Sequence, residues 1–190
     1  MKALLVATML AASSTVSLSW SMTIDEAYQS IPHTRTPYNS QVSALSPPER
    51  KFLSHFFALS DHALIERVET LAAFRAGDRQ RFATYETNVA RILTELRALQ
   101  EPASAAGFVT MLSEAIQQQH VLFQKWDTAL ANQRPFAFPT GSEVSGIDPH
   151  VGKASAGLIR LYTDLMARYG TGHAQNREAF YQHLCALDFL

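Results

Sequence analysis

Apolar residues recur along this chain at the three- and four-residue spacing that places them on one face of an α-helix. A first stripe runs through Phe52, Phe56, Leu59, Ala63 and Phe74, widened by Leu53, Leu64 and Leu71. A second contains Phe82, Val89, Leu93 and Leu96, with Tyr85 and Ile92 alongside. Phe108, Leu112, Ala115, Phe123, Trp126 and Leu130 make a third, and Val151, Leu158, Tyr162, Leu165 and Tyr169 a fourth. No stretch alternates with the period of two that marks a half-buried strand, and neither an internal repeat nor a sustained heptad occurs.

Punctuation between the stripes sets the expected helix ends. Ser46-Pro47-Pro48-Glu49 has the form of a capping box with proline at the first helical position, which opens a helix running to residue 76. Gly77 can take the left-handed backbone that ends a helix, and Asp78 can cap the next, spanning 79–100. Pro102 is expected to open the third helix, to residue 132, and Asp148-Pro149 repeats the cap-then-proline signal for the fourth. Gly170 and Gly172 stop that helix, and a short C-terminal helix covers 175–187. The pattern predicts an all-α, up-down, four-helix-bundle-like domain over residues 46–190. The first and third helices come out longer than their neighbours, which suggests protruding ends or a break in the first near Ser60-Asp61; the break is the expectation.

Two segments exceed a minimal bundle. Residues 22–45 carry Ile31-Pro32-His33-Thr34-Arg35-Thr36-Pro37-Tyr38, whose prolines favour an extended N-terminal strap. Residues 133–149 form a loop longer than bundle connections usually are, with two aromatics, Phe136 and Phe138. Both segments either cover leftover apolar surface at the bundle ends or line a ligand cleft.

The first residues change the picture from a generic bundle to an exported one. Met1-Lys2 is a basic start, Ala3 to Ala12 is apolar, and Ser13 to Ser21 is small and polar. The apolar run is much shorter than the roughly 20 residues that span a bilayer. Residues 1–21 therefore read as a cleaved signal peptide, with the mature chain starting at Trp20 or Met22 and a periplasmic or secreted location. No integral membrane anchor is expected. The net charge of −1 becomes −2 when Lys2 leaves with the signal, so the basic surface that nucleic acid requires is missing. One cysteine, Cys185, cannot form an internal disulfide and reads as a buried thiol.

Candidate chemistry is sparse. His55 and His62 share a face of the first helix with Glu66, and His120 sits at the edge of the third stripe. This row is either a metal site or a solvated polar edge, and the spacings diagnostic of metal, such as His-Glu-x-x-His, do not occur. Covalent haem would need a Cys-x-x-Cys-His, which one cysteine cannot supply, so only a non-covalent haem held by His120, Met111 or Met166 remains. Ser60-Asp61-His62 has the letters of a triad, but consecutive helical residues diverge by about 100°. Gly152 to Gly157 lacks the spacing of a phosphate loop; small residues there suit a close helix approach. Gln119 interrupts the centre of the third stripe, within reach of a polar network with Glu86, Tyr85 or Tyr162. Gln119, Tyr162, Phe136 and Phe138 are the candidate ligand-binding residues. The sequence thus points to an exported bundle that binds a protein partner or a small apolar ligand, without a catalytic motif and with no cofactor predicted. The alternative is a metal or haem protein using His55, His62, Glu66 and His120.

Overall fold

The computed structural model describes residues 45–132 and 148–169, together with Arg177, Phe180 and Leu184. The signal segment, the strap apart from Leu45, the loop carrying Phe136 and Phe138, both C-terminal glycines and Cys185 lie outside these residues. Four helices account for most of what is described: α1 Pro47–Arg75, α2 Gln80–Ala98, α3 Phe108–Ala131 and α4 Pro149–Tyr169. The fold is all-α, and no strand occurs among the described residues.

The helix ends form where the residue chemistry places them. At the start of α1 the capping box is present, with the Ser46 N–H donating to the Glu49 carboxylate at 2.8 Å. At its end, Gly77 has φ +73°, the Gly77 N–H donates to the Phe74 carbonyl and the Asp78 N–H to the Ala73 carbonyl. This crossed pair is a Schellman motif, and only a residue tolerant of positive φ closes it without strain. The Asp78 carboxylate then accepts the Gln80 N–H at 2.8 Å, so one dipeptide ends α1 and starts α2. Asp148 does the same for α4, accepting the His150 N–H at 2.8 Å.

Two expectations are corrected. Helix α1 is unbroken through Ser60 and Asp61: Ser60 lies fully buried on its inward face, and Asp61 is half-buried beside it. Helix α3 does not begin at Pro102. Pro102 instead precedes a 3-10 turn, Ala103–Ala105, and α3 starts only after Gly107, at φ +91°. The carboxylate of Glu101 reaches forward to accept the Gly107 N–H at 3.2 Å and the Val109 N–H at 2.6 Å. A side chain from before the turn thereby caps the helix after it.

The chain order is up-down-up-down. Helices α3 and α4 pack most extensively, followed by α1 with α2 and α2 with α3. Small residues let α3 and α4 approach: Ala154 is buried, and a Cβ on Gly157 would meet the Ala115 Cβ at 3.9 Å. Helices α1 and α4, by contrast, share no extended contact. The core also takes in the helical residues Phe180 and Leu184, both buried, and the Phe180 ring stacks on Phe57 of α1 at 5.4 Å.

Aromatics concentrate toward the two ends of the core. Phe52, Phe56, Phe57, Phe108, Tyr169 and Phe180 meet near the start of α1, while Phe74, Phe82, Tyr85, Phe123 and Trp126 meet near the α1–α2 hairpin. Rings of this size remove large apolar areas from water and fix helix register through their shape. At the first of these ends, the Glu49 carboxylate accepts from Ser104 at 2.6 Å, Tyr169 donates to Ser104 at 2.8 Å, and Arg168 donates to the Ser104 carbonyl at 2.6 Å. One serine in the 3-10 turn therefore ties together the start of α1 and the end of α4.

Candidate functional site

Helix α1 has 29 residues and α2 has 19, and the tight hairpin aligns them at one end. At about 1.5 Å per residue the surplus leaves roughly 15 Å of α1 standing beyond the end of α2. The connection through the 3-10 turn folds over part of that overhang. What remains open is a groove of about 420 Å³, lined by Pro48, Lys51, Phe52 and His55 of α1 and by Ala98, Leu99 and Gln100 at the end of α2.

The four α1 residues are spaced i, i+3, i+4 and i+7, so a single helix face supplies one wall. Phe52, buried, and Leu99, half-buried, contribute apolar surface to a mixed lining in which Pro48, Lys51, His55, Ala98 and Gln100 are exposed. Neither Lys51 nor His55 has a hydrogen-bonding or ion-pair partner among the described residues. Among the described residues no acidic side chain lines the groove. The nearest carboxylate in sequence, Glu49, is occupied by Ser104 and Ser46, and those hydrogen bonds, Ser104's first, hold it below the usual carboxylate range.

A second polar cluster lies further along α1, toward the hairpin, where α1 meets α2. Arg81 donates to Glu66 at 2.6 Å and also to Glu69, and Asn88 donates to the other Glu66 oxygen at 2.7 Å. Tyr85 is buried, and desolvation raises its phenol above the ordinary value. His120 stacks near Phe82 and Tyr85, with ring centroids at 6.4 and 5.6 Å. Its Nδ1 is buried without a partner and its Nε2 faces Glu86 at 4.0 Å. Burial lowers the imidazole's pKa, against the opposing pull of Glu86.

These positions separate the residues read from the sequence as one ridge. His55 lies on the groove, His62 is exposed, Glu66 is spent on Arg81 and Asn88, and His120 is packed between α2 and α3. Among the described residues, no three His, Cys, Asp or Glu side chains gather where they could hold a metal ion. Met111 and Met166 pack against the core. Gln119 is buried, 4% exposed, and Tyr162 is half-buried on α4. Glu86 is turned toward His120 and Gln124, the latter at 3.4 Å. Phe136 and Phe138 lie outside the described residues.

No family model, curated protein or solved structure matches the chain.

The groove residues other than His55 were not singled out from the sequence. From sequence Phe52 reads as part of the apolar stripe and His55 as part of a polar row beside it, but not as one face with Pro48 and Lys51. What that face confronts depends on where α2 stops relative to α1, a tertiary fact that no local pattern carries.

Among the described helices, none is long and apolar enough to cross a membrane.

Proposed function

We propose that this protein is an exported binding module whose ligand is a small, largely apolar molecule held at the end of the bundle where α1 begins and α2 stops. The observation that carries this reading is the groove of about 420 Å³ beside Phe52 and Leu99. Its volume falls in the range of about 300–1,000 Å³ occupied by small-molecule sites, and its lining has the usual mix of apolar walls and a few polar groups. A protein partner has less support on the described surface. Ile159, 58% exposed, is the one large exposed hydrophobic residue there, whereas stable protein interfaces centre on apolar patches of several hundred Å². Export rests on the basic, apolar and small-residue order of residues 1–21.

Native mass spectrometry of the protein purified gently from its own host tests both parts. The expected result is a mature N-terminus at Trp20 or Met22 and a bound mass of a few hundred daltons that is lost on denaturation. An intact Met1 would overturn export. Repeated recovery with a stoichiometric protein partner, or with absorption near 400 nm and no other small molecule, would overturn the ligand reading in favour of a protein-binding or haem-binding bundle.

A further inference from the structure

We infer that the groove selects a small organic monocarboxylate, an apolar body ending in one acid group. The inference rests on the reading of the groove as a ligand site and adds the ligand's charge to it. The apolar part is accounted for by Phe52, Ala98, Leu99 and Pro48, which offer surface without hydrogen-bonding groups of their own side chains. The charged part follows from Lys51 and His55.

These two side chains are one helical turn apart on α1, and both border the same opening. Several other cations among the described residues are paired, although Arg50, Arg97, Lys153 and Arg160 are not. Arg79 meets Asp127 at 2.7 Å, Arg81 meets Glu66 and Glu69, Arg91 meets Glu95 at 2.9 Å, and Lys125 meets Asp148 at 2.9 Å. Lys51 and His55 have no such partner among the described residues, and the third polar lining residue, Gln100, is neutral. Among the described residues the groove thus presents an ammonium and an imidazole with no carboxylate to answer them. An incoming carboxylate supplies that charge and accepts charge-assisted hydrogen bonds, which are the stronger class. An organic cation would meet Lys51 uncompensated. A neutral apolar molecule would bury its body but leave Lys51 unused. The apolar walls disfavour inorganic phosphate or sulfate, whose whole surface is polar.

Calorimetric titration with octanoate and with 1-octanol separates the charge from the apolar body. Octanoate should bind at least tenfold more tightly than 1-octanol. Lys51→Gln and Gln100→Glu should each weaken octanoate about fivefold to tenfold and leave 1-octanol within about twofold. His55→Gln should have the smaller effect of the same sign. Lys51, His55 and Gln100 are all exposed, so these variants keep the fold, which a thermal melt verifies. Equal binding of both probes, with Lys51→Gln and Gln100→Glu without effect, would overturn the carboxylate inference while leaving an apolar ligand site in place. If neither probe binds the unaltered protein at millimolar concentration, the groove falls as a ligand site and the inference falls with it.

Discussion

His120 shows how a side chain's place on a helix can be legible in the sequence while its surroundings are not. Its place at the edge of the third stripe was legible, and so was the burial of Gln119 beside it. What the stripe could not reveal is that the ring packs near Phe82 and Tyr85 with Nδ1 buried and unpartnered. That environment holds the folded-state pKa below the ordinary histidine value. In the unfolded chain the imidazole takes up a proton near pH 6.5. Below that pH the unfolded state binds the extra proton first, so stability present at neutral pH is lost as the pH falls toward the depressed folded value. His120→Phe keeps a ring against Phe82 and Tyr85 and removes the titration. Unfolding midpoints between pH 7.5 and about 5 should therefore fall less steeply for His120→Phe than for the unaltered protein, with no loss at neutral pH. An unchanged slope would show that other groups carry the acid sensitivity. Glu66 carries the complementary lesson. From sequence it shared a face with His62, but Arg81 and Asn88 arrive from α2, about two turns apart on that helix, and claim both its oxygens.

At the scale of helices, the caps decided most of what was legible. Ser46-Glu49, Gly77-Asp78 and Asp148-Pro149 act locally, through atoms within a few residues, and the helix ends fall where those residues require. All six residues read as apolar contacts of α2 are buried, since one narrow stripe covers its whole inward face. Helix α1 was harder because it is buried on more than one side. Phe57, Ser60, Arg67 and Thr70 are all buried outside the expected stripe, and Thr70 settles its hydroxyl on the Glu66 carbonyl at 2.7 Å. The start of α3 was misplaced because its cap comes from Glu101, across an intervening turn, rather than from an adjacent Ser, Thr or Asp. Glu101→Ala should leave the Gly107 and Val109 amides without their acceptor and lower stability by about 1–2 kcal/mol. Urea unfolding measures it, and an unchanged midpoint would mean that solvent replaces the carboxylate at no cost.

For the molecule as a whole, the up-down order followed from short connections and wide stripes, whereas the groove did not. It exists because two neighbouring helices differ by ten residues, 29 against 19, and because the chain leaving the shorter one folds back over only part of the step. The other feature invisible in any one stripe is the packing of Phe180 on α1. Phe180 is fully buried against Phe57, so Phe180→Ala should cost about 3–5 kcal/mol in urea unfolding. A loss below about 1 kcal/mol would mean that the neighbouring rings close the gap by themselves. The pair also sets an order of events. Phe57 and Phe180 are separated by 123 positions, so a chain that emerges from its amino end holds the Phe57 ring bare until residue 180 has followed. Contacts of such long reach are slow to form, because the intervening loop must be closed first. During that interval α1 presents an apolar face without its cover, which invites a chaperone or a protease. Cleavage between 170 and 180 would recreate the same nascent surface in a finished molecule.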